Sequence, residues 1–305
     1  MSVQAPFRLL SCALLSLLYS TQSIAQPADL ALKFDRPQLA QGEPVVALVS
    51  VQNRSTAPIE IPHLFDPTYG TYQYWVRSPD GRLRHFDPGW IAELDRAQAT
   101  AVNPGSSISG FARLFHASNG TPFREPGAYK VSVSSGNLKS AEVSLSIKAP
   151  ATAHEREAAE LLMDPDVTLF LLAQGGETLK NARPNLEKIT STYADTALAP
   201  YASYALGVYF SKDSRDFVHK NVRPADLPQS QTLLEPVTRA PVSPYFRFNA
   251  YQKLVDVALA RGDKARADAY LRELQTKSAK DPEAARVIQD MSRAIQAAPS
   301  AGAAR

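Results

Sequence analysis

The side chains best suited to metal or nucleophile chemistry are five histidines, His63, His85, His116, His154 and His219, and one cysteine, Cys12. No two histidines are three or four residues apart, so none share a helical face as a zinc-binding pair does. His63, Asp66 and His85 stand close enough in the chain to converge, but isolated loop histidines are ordinarily solvated or structural. No Gly-x-Ser-x-Gly elbow, Walker-type glycine loop or dinucleotide fingerprint occurs. Glu93 with Asp95, and Asp164 with Asp166, are paired carboxylates that read as an exposed loop and a helix cap. Nothing around them supplies the apolar burial that tunes a general acid. The residue types therefore point to a non-catalytic protein that needs no cofactor.

Aromatic side chains are the other chemistry on offer, because flat rings hold sugars and peptides. Tyr69, Tyr72, Tyr74, Trp75, Phe86 and Trp90 crowd one stretch. Tyr72 and Trp90 are its candidate ligand-facing members. Tyr201, Tyr204, Tyr245, Phe246 and Phe248 form a second group, which would line a groove between helices. Both groups also suit core packing.

These residues must be positioned by two different kinds of text. From Leu30 to Ile147 the sequence is that of an all-β domain, with short alternating runs separated by proline, glycine and asparagine. Strands are expected at Leu30–Phe34, Pro44–Asn53, Tyr72–Ser78, Arg82–Phe86, Ser107–Phe115, Ala128–Ser134 and Ala141–Lys148. Ser78-Pro79-Asp80-Gly81 and Ser135-Gly136-Asn137 are turns. In Glu125-Pro126-Gly127-Ala128-Tyr129 a turn feeds a strand on which Tyr129, Val131 and Val133 share a face. With Trp75 at the core tryptophan position, residues 26–148 resemble the immunoglobulin-like β-sandwich modules of bacterial envelope proteins. That resemblance implies that the Tyr129 hydroxyl bonds back to its turn. Val131 stands where antibody domains place their second cysteine.

After Lys148 the chain turns to alanine, leucine and charged residues at helical spacing. Ala158, Leu161 and Leu162 begin it. Asp164-Pro165 caps a segment holding Val167, Phe170 and Leu171, which Gly175-Gly176 stops. Tyr201, Tyr204, Ala205 and Val208 make one helical face, and Tyr251, Leu254, Val255, Ala258 and Leu259 another. Between them, Ser211 to Pro244 is rich in proline and reads as loop apart from a helix at Leu227–Arg239. At Arg261-Gly262-Asp263 one helix stops and a second begins with Ala267, Tyr270, Leu271 and Leu274 inside, and Pro282 opens a further helix. Tyr251, Leu254, Gly262 and Ala267 resemble a tetratricopeptide unit, echoed at Ala205-Leu206-Gly207. The echoes lie 48 residues apart, against a repeat of about 34, so the array over residues 149–297 is irregular. The fold class expected is all-β followed by all-α, with a disordered tail at 298–305.

Residues 1–25 carry one charge, Arg8, an apolar run from Leu9 to Tyr19, and Ser23-Ile24-Ala25. This is the layout of a cleavable secretory signal, too short to span a membrane. Its removal takes away Cys12, so the mature chain holds together without disulfides. The formal charge of +3 is a small excess of mixed charges and gives no footprint for nucleic acid. The expectation is a periplasmic or secreted protein that binds another envelope protein or a peptide. The alternatives are a carbohydrate-binding module, or an accessory to an envelope enzyme with a site between the domains. Asn53-Arg54-Ser55 and Asn119-Gly120-Thr121 match the glycosylation pattern, which matters only in a eukaryotic secretory pathway.

Overall fold

A computed structural model describes residues 27–62, 64–89, 99–216, 220–278 and 281–298. The expected signal segment at 1–25, His63, Trp90, Glu93, Asp95, His219 and the residues beyond Ala298 lie outside the described residues. Strands come first and helices follow.

The β half contains β1 (Ala28–Lys33), β2 (Gln38–Ala40), β3 (Val46–Asn53), β4 (Ile59–Pro62), β5 (Gln73–Arg77), β6 (Leu83–His85), β7 (Ala99–Val102), β8 (Ser107–Arg113), β9 (Gly127–Ser135), β10 (Leu138–Lys139) and β11 (Val143–Lys148). One sheet runs β1-β3-β8. A larger one runs β2-β11-β9-β5-β6, with β10 on β9, and β4 pairs with β7 separately. Pairing is antiparallel except for β2 with β11. The inner faces of the two main sheets share one core, in which Val49, Val51 and Ala112 meet Tyr74, Val131, Val133 and Leu145.

Strand alternation sends neighbouring side chains to opposite faces, and the larger sheet uses this differently from the expectation for Trp75. Tyr74 and Val76 face the core, while Trp75 is half-buried on the outer face, edge-on to His85 at 5.1 Å. Trp75 therefore does not take the core place expected of it; Tyr74 does, and a one-residue difference in register is enough to swap the two. Tyr129 behaves as expected, since its buried ring places the hydroxyl to donate to Glu125 O at 2.8 Å and accept from Glu125 N at 3.2 Å.

The helical half contains α1 (Ala153–Leu162), α2 (Pro165–Ala173), α3 (Ala182–Thr192), α4 (Ala199–Phe210), α5 (Leu227–Val237), α6 (Pro244–Ala260), α7 (Lys264–Ser278) and α8 (Pro282–Ala297). Local chemistry sets several boundaries. Thr152 and Glu155 close a capping box on α1, Asp164 caps α2 ahead of Pro165, and Ser243-Pro244 starts α6 with proline in its first turn. Each helix from α3 onward packs against the next. At one of these crossings α4 and α5 come so close that a Cβ on Gly207 would stand 2.6 Å from Leu234 Cγ. This half is not purely helical, because a polar hairpin, β12 (Ser214–Asp216) with β13 (Asn221–Arg223), follows α4.

Candidate functional site

The helical half sits on the outer face of the β1-β3-β8 sheet. Along β8, Gly110 and Ala112 point into the β core, so Ser109, Phe111 and Arg113 point out. Continuing that face, Phe115 lies 6.1 Å from Phe246, and Phe111 lies 5.7 Å from Tyr245 and 6.4 Å from Phe248. The Ser109 hydroxyl bonds Glu283 of α8. Val46 and Phe115 thereby belong to the same apolar cluster as the helices.

This geometry corrects the assignment of the aromatic groups to a ligand-facing surface. Tyr72, Tyr201, Tyr204, Phe246 and Phe248 are buried, and Tyr245 is partly buried against the same cluster. Tyr201 and Tyr204 each meet Phe246 edge-on at about 5 Å. The five helical aromatics are thus the packing of the junction, and Tyr72 packs at 4.9 Å on Phe65 with its hydroxyl donating to Pro62 O. Burial pushes the Tyr72 and Tyr201 hydroxyls well above their ordinary titration range. Trp90, the remaining candidate, lies outside the described residues.

Two polar ties cross the junction, and sequence reasoning named neither as a unit. Asp66 accepts from Thr68 N and Thr68 Oγ1 at 3.1 and 2.6 Å, and from Arg113 N and Nε at 3.1 and 2.7 Å. Arg113 then donates to Leu172 O at 2.9 Å, in the last turn of α2, where a cation meets the negative end of the helix. Burial works against the Arg113 charge, but Tyr245 and Asp66 outweigh it and hold the guanidinium above its ordinary range. In the second tie, Glu43 accepts from Ala40 N at 2.8 Å, Arg36 Nη2 at 2.6 Å and the Tyr201 hydroxyl at 2.9 Å. Beside it Gly42, at φ +87°, lets the loop approach α1 so closely that a Cβ would stand 2.9 Å from Ala159 Cα.

Among the described residues, several open concavities lie around this packed centre, and three of them bear on the site. One of about 230 Å³ lies between α5 and α7, lined by Glu235, Arg239, Arg266, Ala269, Tyr270 and Glu273. There Glu235 accepts from Tyr270 OH at 2.5 Å, Arg266 Nη2 at 2.7 Å and Gln231 Nε2 at 2.9 Å. Burial raises its titration, but those three bonds more than reverse it, lowering the carboxyl to about 2. A second, of about 480 Å³, lies between the Gly175-Gly176 loop and the β12–β13 hairpin, where Arg223 stacks on Tyr209 at 3.8 Å and bonds Glu177 at 3.1 Å. The third, of about 450 Å³, opens at the edge of the junction between loop 116–124 and the turn around Met163.

The paired carboxylates of the helix cap are engaged locally. Asp164 accepts from Asp166 N, and Asp166 accepts from Asn181 N. Among the described residues no group of three or more His, Cys, Asp or Glu is placed to hold a metal, and no helix is long and apolar enough to cross a membrane. Asn53, of the first glycosylation match, is buried with its amide donating to Ala57 O and Val102 O at 2.8 Å each.

No protein-family model matches the chain, and no curated protein matches it. Among solved structures it has partial likeness to a β-glucosidase from Listeria innocua, at 15% identity and TM-score 0.26 over 40% of this chain and 16% of that one. It has similar likeness to Spo0M, a sporulation control protein from Bacillus subtilis, at 13% identity and TM-score 0.25 over 45% of this chain and 55% of that one. The chain spans under two thirds of the length of both, and likeness at these scores carries no argument about activity.

Proposed function

We propose that this chain is an exported, non-catalytic protein-binding or scaffolding protein of the bacterial cell envelope, periplasmic or secreted. In this reading residues 26–148 are an immunoglobulin-like sandwich and residues 149–297 a tetratricopeptide-like array, working as one body. Two sheets sharing a core and the Tyr129 corner support the first assignment. Serial packing of α3 through α8 supports the second. The partner is another envelope protein or a peptide.

The observation that carries this reading is the α5–α7 groove. The aromatic stripe of α4 and α6 is consumed at the junction, and the groove keeps charged side chains of both signs, with exposed Ala269 between them. Such a surface suits a polar segment of a protein partner. The test is crosslinking of the full mature chain in its native envelope beside Ala269→Arg, which fills the groove without touching the core. Lys33→Glu, on the exposed face of β1, is the control. The expected result is one specific partner captured by the parent and by the control but lost with Ala269→Arg. Equal capture by all three removes the groove from the reading.

A second reading, a ligand site between the two halves, is favoured by the cleft at the edge of the junction, because both halves contribute to its walls.

A further inference from the structure

The cleft between loop 116–124 and the α1–α2 turn holds about 450 Å³, within the range of roughly 300–1,000 Å³ that small-molecule sites occupy. Its polar lining can be read atom by atom. His116 Nδ1 stands 2.9 Å from Thr168 Oγ1. That hydroxyl also stands 3.2 Å from Pro165 O and 3.4 Å from Asp164 O, inside its own helix. Carbonyl oxygens only accept. If the Thr168 proton pointed at the imidazole, the hydroxyl lone pairs would oppose both carbonyls. The proton therefore goes to the helix, as is usual for threonine in a helix, and the hydroxyl accepts from His116 Nδ1–H. Burial lowers the histidine's titration and favours the neutral ring. Nε2 is then left with a lone pair, and it has no partner among the described residues.

The other groups follow the same accounting. Ser118 Oγ spends its proton on Asp87 at 2.8 Å, and Thr121 Oγ1 spends its own on Met163 O at 3.4 Å. Each hydroxyl keeps accepting capacity. Arg124 is exposed, and its side chain has no carboxylate partner among the described residues, while its carbonyl accepts from Gln41. Asn119 adds an exposed amide. The cleft thus combines several acceptors, one unpaired cation and the apolar surface of Met163 and Pro165.

The geometry points to this cleft as a binding site for a hydroxyl-rich carboxylate of the uronic acid class, free or at the end of a glycan. Its hydroxyls donate to His116 Nε2 and the Ser118 and Thr121 oxygens, and its carboxylate meets Arg124. A cationic sugar is disfavoured by the same arginine. This rests on the second reading above and gives it a ligand class.

The test titrates the full mature chain with glucuronate, tri-galacturonate and glucose, following backbone amide resonances. The expected result is saturable shifts at residues 118–121 with glucuronate, and binding of glucose weaker by about tenfold, the worth of one charge-assisted hydrogen bond. Arg124→Ala, a surface change, should bring glucuronate down to the level of glucose. Tri-galacturonate binding more tightly than the monosaccharide identifies a glycan end as the source, and equal binding identifies the free acid. No saturable shift with any probe overturns both the proposal and the second reading. Equal affinity for glucose and glucuronate at the same amides overturns the uronate proposal alone.

Discussion

A carboxylate, an arginine and a tyrosine meet both at the junction and on the helical surface. Glu43, Arg36 and Tyr201 tie the β half to α4, and Glu235, Arg266 and Tyr270 tie α5 to α7. The bonds are of similar length, but the solvation differs. The Glu43 side chain is 5% exposed and that of Glu235 is 31%. A carboxylate withdrawn from water depends on its partners, whereas one in reach of water can replace them. Similar bonds should therefore do different work, locking two halves together in one place and shaping a surface in the other.

The strongest way to break that contrast is through the apolar packing around the buried tie. Phe246 touches Phe115 from the β half and Tyr201, Tyr204 and Tyr245 from its own. Phe246→Ala is expected to cost about 3–5 kcal/mol, the range for a buried aromatic truncated in a tight core. Urea denaturation followed by both fluorescence and circular dichroism checks it. A single coincident transition at reduced midpoint is the expected outcome, and two separated transitions would mean that the halves are independent bodies.

Glu43→Ala comes next. It removes the acceptor of Ala40 N, Arg36 and the Tyr201 hydroxyl together, and Arg36 is exposed enough to recover some hydration. We expect a loss of about 2–3 kcal/mol, read from the same denaturation curves. Tyr201→Phe in the Glu43→Ala background should then cost less than in the parent, because the partners couple. Strict additivity would show that the tie is not a unit.

How much of this was legible follows from where each signal lives. The expected strands all formed, most because alternation over five or more residues is a local property, as in Val143 to Ile147, while the three-residue β6 is marked instead by the Ser78-Pro79-Asp80-Gly81 turn ahead of it. Gln38–Ala40, Ile59–Pro62 and Ala99–Val102 were not expected, since three or four residues show no period. α3 carries no start signal either, since it begins without a side-chain cap at Asn181. Ser211 to Pro244 reads as mostly loop, and its exposed polar hairpin gives no apolar pattern to find. The aromatics were legible as apolar stripes but not as interior, because core and groove look alike until the partner surface is known. One clue was available on β8 and its continuation. Phe111 and Phe115 occupy the face opposite Ala112, where a solvent-facing strand would be polar, and that face meets the helices. The helix α6 is the complementary clue, since its apolar arc is wide, taking in Phe246, Phe248, Tyr251, Leu254, Val255 and Ala258, while Asn249, Gln252, Lys253 and Asp256 share the remaining face.

A pH titration sharpens the comparison at the rim of the junction. Burial lowers the His116 titration below its ordinary 6.5, so the unfolded chain takes up this proton first as the pH falls. The histidine has no effect above about pH 6.5, and stability should decline below it until the folded ring protonates too. His116→Gln should flatten that slope while leaving the carboxylate-driven loss at lower pH. An unchanged slope would remove His116 from the rim's pH response and undercut the neutral imidazole on which the cleft proposal depends.

The smallest effect belongs to the exposed triad. Glu235→Gln should cost only about 0.5 kcal/mol at pH 7, as surface ion pairs do. Its distinguishing mark is the pH window. Against burial, bonds from Tyr270, Gln231 and Arg266 hold the folded carboxyl below its ordinary 4.5, so its contribution, kept small by solvent screening, is complete above 4.5 and is lost as the pH falls below it. The parent and Glu235→Gln should therefore differ slightly in urea midpoint at pH 7 and converge by about pH 2. If Glu235→Gln instead costs as much as Glu43→Ala, solvation is not what separates the two triads, and the helices are held together by the groove's charges rather than by the apolar contacts of Ala267 and Leu274 beneath them.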